Sequence, residues 1–417
     1  MQKKNEENEL DIKGRLLRKI KKIPWLGPIF SYKYTEEGVR LQHMLIHKNF
    51  KGYPRIEGII EKDIVPTKQD LLLTRRLLRA YKKALTDRKK EKSGSRQDIW
   101  TFLAKGPHSS FFELLKKENI KEIAFYLCNM SRMGITHGIT QGEIEFNKIT
   151  SEPVHRNWLG LFMFDELIAL AEAFGVIPLE NPEQGNYGMA IFSNIDEIVK
   201  KIENFLGISI IPPNIEGGTY KLKTKKGDFH YRDIASLYTA WRCREILKNI
   251  QNPSMCEIGA GIGKTAYYSN LLGIKRYTII DLPHINILQG FYLIKSFPRA
   301  KISLYGEENS GNNYISILPD FAFDKINGKV FDLTLNQDSF PEIDRKIVLD
   351  YLCKIKQHTK NLFLSINQES QNTMMIGDLK QHNVSELVSE TKSFERIHRF
   401  PYWLRAGYIE ELYKILD

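Results

Sequence analysis

A glycine-rich run occupies residues 255–265 and reads MCEIGAGIGKT, and a second apolar run, residues 277–280, ends at Asp281. This pattern predicts a strand, a turn, a helix and a second strand. The glycines at positions 259, 261 and 263 allow the chain to turn sharply and approach a ligand, and the following helix begins with free N–H groups. An acid at the end of the second strand is placed to accept both hydroxyls of a ribose. We therefore expect a nucleoside ligand at this turn.

Three kinds of nucleoside ligand use such a turn, and the details separate them. A phosphate-binding loop requires Gly five residues before the Gly-Lys-Thr, where this chain has Ile258. A dinucleotide turn reads G-x-G-x-x-G, whereas this one reads G-x-G-x-G after Glu257, which would repel a pyrophosphate. S-adenosylmethionine has no phosphate, and its ammonium and sulfonium favour a nearby acid. The pattern resembles the class I methyltransferase signature; a tight turn without a ligand is the alternative. We predict that S-adenosylmethionine contacts Glu257, Gly259, Gly261, Gly263, Asp281, Leu282 and Asn336.

Strand-like and helix-like segments alternate from residue 254 onward, which predicts an α/β fold with a mostly parallel sheet. The segments are strands 254–258, 277–281, 301–305, 330–336 and 361–366, with helices 263–272, 284–296 and 342–357. Apolar spacing before them predicts helices over 111–130, 158–174, 195–205 and 231–247. We therefore expect a basic segment 1–97, a mainly helical accessory or substrate domain 98–250, and a Rossmann-like S-adenosylmethionine-binding domain 251–417.

Positive charge is concentrated at the N-terminus. The first hundred residues hold 25 Lys and Arg against 13 Asp and Glu, a balance of +12, while the remainder holds 36 against 37, or −1. Residues 11–30 interleave aliphatic and basic residues and end near Trp25, which suits a short helix on an anionic membrane surface. Packing against the protein's own core and nucleic-acid binding are the alternatives, and we expect no nucleic-acid partner because no base-stacking aromatic pattern accompanies the charge.

The four cysteines are scattered without metal-ligand spacing, which fits reduced thiols in a cytosolic protein. We expect no transmembrane segment, and a cytoplasmic location with possible attachment to the inner face of the membrane.

The loop after the fourth strand, residues 332–342, is expected to border both donor and acceptor. Asp338 is the first candidate for the base that removes a proton from an acceptor hydroxyl, followed by Glu342 and His284. Ser339 would orient the hydroxyl, although Ser339 and Glu342 also form a capping-box pattern for a helix starting at 342. Trp403, Arg405 and Tyr408 could form a sugar platform, with sheet-edge packing as the alternative.

Several motifs over roughly residues 98–417 resemble the bacterial sugar O-methyltransferases. These are Glu257–Gly263, Asp281-Leu282-Pro283, Asn336 with residues 339–342, Ser365-Ile366-Asn367, and residues 402–413. The resemblance implies methylation of a sugar hydroxyl on a cell-surface polysaccharide or glycolipid precursor. The chain departs from the family at Ile343, where Met is usual, and in a less glycine-rich first loop.

The leading hypothesis is in-line methyl transfer to a positioned hydroxyl. Mg²⁺ could assist through the oxygens of Asp281, Asp338 and Glu342, although no dedicated metal site is evident. Two alternatives stay open: a catalytically silent adenosine-ligand-binding scaffold subunit of a glycan assembly complex, and a methyltransferase for a non-sugar small molecule or a protein. The sequence does not indicate an oligomeric state.

Overall fold

The computed structural model describes residues 56, 58–88, 99–181, 183, 188–307, 314–369 and 381–416. The basic segment 11–30 lies outside these residues. The chain divides into two compact units, one of residues 1–55 with Leu179–Ser193 and one of Ile56–Pro178 with Asn194–Asp417. The helical residues before 178 and the sheet thus share the second unit. The predicted boundary at residue 250 separates two kinds of secondary structure and is not a boundary between compact units.

An eight-stranded sheet organises the second unit, with strand order β5-β6-β4-β3-β7-β8-β10-β9. Its strands are β3 Ser254–Ile258, β4 Arg276–Asp281, β5 Ile302–Leu304, β6 Ile315–Pro319, β7 Phe331–Gln337, β8 Thr359–Gln368, β9 Phe394–Pro401 and β10 Tyr408–Ile415. Strands β3 to β8 are parallel, and β10 runs antiparallel to both β8 and β9. This confirms the predicted Rossmann-like, mostly parallel sheet, and the strands β9 and β10 add an antiparallel hairpin at its edge. A separate antiparallel pair joins β1 Gly58–Ile60 to β2 Tyr220–Leu222.

The α-helices precede the sheet or alternate with its strands. They are α1 Lys68–Arg88, α2 Ile99–Lys105, α3 Ser109–Lys117, α4 Ile120–Cys128, α5 Gly142–Ser151, α6 Pro153–Ala173, α7 Ile195–Leu206, α8 Tyr231–Leu247, α9 Lys264–Leu271, α10 Pro283–Ser296, α11 Arg345–His358 and α12 Val384–Thr391. The mainly helical character of residues 98–250 is therefore confirmed. No helix among the described residues is both long and apolar enough to span a bilayer.

The sheet places a crevice at the end of β3. All five residues of β3 are buried, because the strand lies in the middle of the sheet with β4 on one side and β7 on the other. The chain leaves β3 toward β4 and later returns to β7 on the opposite side. Ligands of open α/β sheets bind at such a reversal, beyond the carboxyl ends of the strands.

Some elements differ from the sequence-based predictions. Strand β6 was not predicted, although its burial resembles that of the other strands, and helix α12 was also missed. The helix predicted over 111–130 is two helices, because Glu118 adopts a left-handed conformation with φ 55° and Asn119 caps a new helix. The helix predicted from residue 342 begins at Arg345, after a short 3-10 turn at Phe340–Glu342.

Candidate active site

The glycine turn after β3 depends on the absence of a side chain at Gly259. Gly259 has φ 76°, and a Cβ there would lie 2.4 Å from Ser339 Oγ. Both properties exclude other residues, since positive φ is strained for most side chains and the contact is sterically impossible without movement. Gly261 and Gly263 also have positive φ, 56° and 94°. The backbone conformation of the glycine turn, and the lack of a side chain at Gly259, therefore allow the turn to pack closely against the loop after β7.

Asn336 and Ser339 hold this packing together. Asn336 Nδ2 donates to the carbonyl oxygen of Ile258 at 3.0 Å and to Ser339 Oγ at 2.6 Å, and its side-chain oxygen accepts from Asn367 at 3.0 Å. Asn336 is fully buried and positions the turn, whereas Ser339 lines the cleft. The capping-box interpretation of Ser339 is wrong: its side chain caps no helix, and α11 is capped by Asp344.

Two carboxyl groups line the cleft beside the turn. Burial raises the pKa of Glu257 to about 7, although the Tyr277 hydroxyl donates a 2.7 Å hydrogen bond to its Oε2. Burial likewise raises the pKa of Asp281 to about 7, although the Leu282 N–H donates to its Oδ1 at 2.7 Å. Ionised carboxylates in these positions need positive charge or hydroxyl donors to be stable. The turn therefore suits a cationic or hydroxyl-rich ligand.

Gln289 on α10 is a functional candidate that the sequence analysis missed. Its Nε2 donates to Asp281 Oδ2 at 2.7 Å and to the Gly261 carbonyl oxygen at 2.9 Å, and its side-chain oxygen accepts from Asn286 at 2.8 Å. The side chain is fully buried. The side-chain amide of Gln289 is thus hydrogen-bonded both to the acid at the end of β4 and to the glycine turn. Its place two turns after the cap of α10 was the available sequence signal.

Lys264 follows the last glycine of the turn but is neutralised within the protein. Its Nζ lies 2.9 Å from Asp233 Oδ1 and 3.4 Å from Glu216 Oε1, and all three residues are buried. Burial opposes its charge, yet the two carboxylates raise the pKa of Lys264 above its ordinary value. A phosphate would have to compete with both acids. This arrangement agrees with the sequence-based exclusion of a phosphate-binding loop.

The helical region closes one side of the cleft. Trp100 from α2 and residues 138–140 line the cleft together with the glycine turn, and Tyr231 at the start of α8 donates from its hydroxyl to the Thr140 carbonyl oxygen at 2.9 Å. The cleft encloses about 960 Å³ of atom-free space, including open solvent at its mouth. Its lining includes Glu257, Gly259, Gly261, Asp281, Leu282, Asp338, Ser339, Arg232, Lys264 and Thr265.

Asp338 at the end of β7 is held by three donors from distant parts of the chain. Arg232 Nη1 lies 3.1 Å from its Oδ2, Arg405 Nη1 lies 2.5 Å from the same oxygen, and the Tyr408 hydroxyl donates to its Oδ1. Burial opposes the charge of Asp338, but Arg405 and Arg232 outweigh that effect and lower its pKa. A carboxylate with a lowered pKa is a weak proton acceptor. This geometry favours an anchoring role for Asp338.

Glu342 has the opposite electrostatic environment. It lies in the 3-10 turn after β7, half-buried, and burial together with the negative charge of Asp338 raises its pKa to about 8. A raised pKa makes a carboxylate a stronger proton acceptor near neutral pH. Of the two acids predicted for this loop, Glu342 therefore has the pKa that better suits a general base.

Other candidates lie away from the cleft wall. His284 begins α10 and packs on Phe112, with ring centroids 4.8 Å apart. Trp403 lies in the β9–β10 turn with 44% of its surface exposed. The cleft wall thus contains Asp338 and Ser339, whereas the other predicted catalytic and substrate residues do not line it: Glu342, His284, Trp403, Arg405 and Tyr408.

The described residues contain no group of three or more His, Cys, Asp or Glu side chains that could hold a metal ion. Asp338 in particular is engaged by two guanidinium groups. The Mg²⁺ hypothesis thus receives no support from the geometry of the described residues.

Comparison of the sequence with protein-family models and with curated proteins finds no match. Similar solved structures include magnesium protoporphyrin IX methyltransferase from Synechocystis PCC 6803 with bound S-adenosylmethionine, which is 13% identical with a TM-score of 0.32 and covers 45% of this chain and 83% of that chain. The 1,6-didemethyltoxoflavin-N1-methyltransferase of Burkholderia thailandensis, with bound S-adenosylhomocysteine, is 17% identical with a TM-score of 0.32 and covers 44% and 79%. A glycopeptide N-methyltransferase complexed with S-adenosylmethionine is 11% identical with a TM-score of 0.32 and covers 43% and 87%. Each alignment covers less than half of this chain. Sequence identities of 11–17% and TM-scores of 0.32 carry no conclusion about the function of this protein.

Proposed function

We propose that this protein is an S-adenosylmethionine-dependent methyltransferase. The observation that carries the proposal is the combination, in one cleft, of the glycine turn with two carboxyls, Glu257 and Asp281, whose pKa values are both raised to about 7. A phosphate ligand would meet these acids and a lysine already neutralised by Asp233 and Glu216. A nucleoside with a cationic amino-acid end would instead supply the positive charge and hydroxyl donors that the two acids lack.

The residues of the cleft fit such a ligand in separate roles. Asp281, held by Gln289 and the Leu282 N–H, is oriented to accept hydrogen bonds from ribose hydroxyls. Glu257 stabilises the cationic amino-acid end, and the positive φ of Gly259 lets the backbone approach it. When bound, S-adenosylmethionine supplies an electrophilic methyl group on its sulfonium.

The acceptor, we infer, is a sugar hydroxyl. The support is the resemblance to sugar O-methyltransferases together with the loop after β7, which brings Ser339 and Asp338 to the cleft wall. Glu342 takes the hydroxyl proton, because its raised pKa suits proton abstraction near neutral pH. Asp338, fixed by Arg232 and Arg405, keeps the loop in place.

A binding experiment tests the donor assignment. Calorimetry with S-adenosylhomocysteine, NAD⁺ and ATP should show binding of the first ligand only. Asp281→Asn should weaken that binding by about 1.5–3 kcal/mol, the usual range for hydrogen bonds to a charged group. Asp344→Asn is the matched control, since Asp344 caps α11 outside the cleft wall and Asn caps equally well. Tight binding of NAD⁺ or ATP, or normal affinity in Asp281→Asn, would refute the assignment.

The acceptor assignment needs a transfer assay. Transfer of a labelled methyl group to nucleotide sugars, lipid-linked glycans, small aromatic alcohols and peptides should give product with a glycan only. Product with a non-sugar acceptor alone would place the enzyme among the small-molecule or protein methyltransferases. Donor binding without transfer to any acceptor, in the presence or absence of glycan-assembly proteins, would favour the scaffold alternative.

A further inference from the structure

Helix α1 is strongly basic, with seven Lys or Arg residues against two Asp. Helical spacing places Lys68, Leu72, Arg75, Arg79 and Lys82 in one row, because successive members are three or four residues apart. All five side chains are exposed, and 63% of the Leu72 surface is accessible. This row of four cations around one aliphatic side chain is called here the basic face of α1.

Three cations of the basic face have no carboxylate partner. Within the described part of the chain, Lys68, Arg75 and Arg79 form no ion pair, whereas Lys82 pairs with Glu118 at 2.5 Å. A cation that no acid of the protein neutralises keeps its attraction for an outside anion. The basic face therefore presents three uncompensated positive charges to solvent.

The carboxylate of Glu307, beside this face, does not cancel that charge. Arg76 binds both of its oxygens, through Nε at 2.8 Å and Nη2 at 2.7 Å. Hydrogen bonding to Arg76 chiefly lowers the pKa of Glu307, and the charge of Arg79 lowers it further. Because Arg76 already neutralises the single charge of Glu307, the charge of Arg79 remains uncompensated.

The packing of α1 fixes this face relative to the sheet. The first turn of α1 meets the last turn of α10, where Asp70 Oδ1 lies 2.8 Å from Lys295 Nζ. The last residue of α1, Arg88, pairs with Asp320, which directly follows β6. Strand β6 ends beside the end of β4, at the edge of the sheet that carries the cleft. Helix α1 therefore runs antiparallel to α10 and ends at the cleft edge of the sheet.

The basic face borders a groove between α1 and the turn from α3 to α4. Its lining includes two of the uncompensated cations, Arg75 and Arg79, and three aliphatic side chains, Leu72, Leu78 and Ile120. Cations beside aliphatic side chains suit the lipid–water boundary, where phosphates lie next to acyl chains. A nucleic acid would use the charges but not the aliphatic side chains, because its backbone is recognised by charge. The composition of the groove therefore favours a lipid surface.

We propose that the basic face of α1 docks on the anionic phospholipid surface of a membrane. Lys68, Arg75 and Arg79 supply the attraction to lipid phosphates, and Leu72 enters the boundary between headgroups and acyl chains. This surface lies outside the cleft, so the inference does not rest on the proposed methyltransferase function. It is also separate from the prediction for residues 11–30, because every residue that carries it belongs to α1 or packs beside it.

Vesicle co-sedimentation of the full chain tests this proposal. The vesicles contain equal parts of phosphatidylglycerol and phosphatidylcholine, or phosphatidylcholine alone, and binding is measured at low and at high salt. The test variants are the double change Arg75→Gln with Arg79→Gln and the single change Leu72→Ser. The matched control is Lys200→Gln with Lys201→Gln, which removes two exposed cations from α7. A duplex oligonucleotide is titrated against the same proteins.

We expect the double arginine variant to bind anionic vesicles roughly 10- to 50-fold more weakly than the wild type, while the lysine control stays within about twofold. Leu72→Ser should weaken binding roughly three- to tenfold through the lost aliphatic contact. High salt, or vesicles of phosphatidylcholine alone, should abolish most of the wild-type binding. The melting temperatures should agree, because all the changed side chains are exposed.

Four results would overturn the proposal. The wild-type protein does not bind anionic vesicles; the double arginine variant binds them as well as the wild type; or the arginine and lysine variants lose binding equally, which is an effect of net charge alone. In the fourth, the arginine variant loses oligonucleotide binding but keeps vesicle binding, which assigns the basic face to nucleic acid.

Discussion

Donor binding should depend strongly on pH between 6 and 8, because the two carboxyls at the turn have raised pKa values. Glu257 and Asp281 each have a pKa of about 7 in the free protein, owing to burial. A ligand that supplies a cation and hydroxyl donors favours their ionised forms. Affinity should therefore be highest above pH 8 and should fall as the pH drops through 7.

The expected size follows from the two pKa values. At pH 6 each group is only about one-tenth ionised, and ionising it costs about 1.4 kcal/mol. If both must be ionised in the complex, the Kd for S-adenosylhomocysteine rises roughly 100-fold between pH 8 and pH 6; if only one must be, the rise is roughly tenfold. At pH 7 the two-group case releases about one proton per ligand bound, half from each group.

Calorimetry at pH 6, 7 and 8, in buffers of different ionisation enthalpy, measures both the affinity and the number of protons released. Asp281→Asn and Glu257→Gln each remove one titrating group, so each should reduce the pH dependence to that of a single carboxyl. The reasoning would be refuted by a Kd that stays constant from pH 6 to pH 8 without proton release. It would equally fail if both variants kept the wild-type pH dependence.

Four further predictions concern the chemistry, the turn and the N-terminus. Glu342→Gln should lower turnover roughly 10²- to 10⁴-fold with donor affinity unchanged. The wild-type rate should rise with pH through about 8, because the base must be ionised. A pH–rate profile of both proteins, with Asp344→Asn as control, checks these two expectations. Gln289→Met keeps the side chain's length but removes its donors to Asp281 and Gly261, so the pH midpoint of donor binding should move upward; a lower melting temperature with an unmoved midpoint would indicate a merely structural role. Gly259→Ala should destabilise the protein by about 1–3 kcal/mol in chemical denaturation, since φ 76° and the contact with Ser339 both oppose a Cβ; wild-type stability would contradict this. Residues 1–30 should promote salt-sensitive flotation with anionic liposomes; equal flotation of the full chain and a chain lacking them, or loss of folding on their removal, would favour core packing instead.

The assignment of the base shows how the structure changes a prediction based on residue type. Asp338 and Glu342 are both acids in one loop, and the sequence favours Asp338 because Glu342 also fits a capping-box pattern with Ser339. The fold brings Arg232 and Arg405 to Asp338, and within the part of the chain that the structure describes no Lys or Arg forms an ion pair with Glu342. The pKa of Asp338 is consequently lowered and that of Glu342 raised, which reverses the order of the two candidates.

The local features of the donor site could be predicted from the sequence alone. The glycine spacing, the acid before it and Asp281 at the end of β4 lie within 25 residues, and short-range backbone geometry links them. Helix periodicity and apolar runs likewise predicted most of the sheet and the helical region, since both patterns are local. Strand β6 has only five residues, three of them aliphatic, and such a short run is a weak local signal.

Only the tertiary structure determined which distant side chains meet. Arg232 lies 106 residues from Asp338 and Arg405 lies 67 residues from it, and no spacing rule connects such positions. Gln289 reaches Asp281 only because α10 packs beside the glycine turn, and Lys264 is neutralised by acids that precede the sheet. Burial and these pairings set the pKa values of the cleft. Local sequence patterns therefore determined where the nucleoside turn is, whereas the charge, the protonation and the acceptor end of the cleft depend on long-range packing, because electrostatic interactions follow distance in space and not distance along the chain.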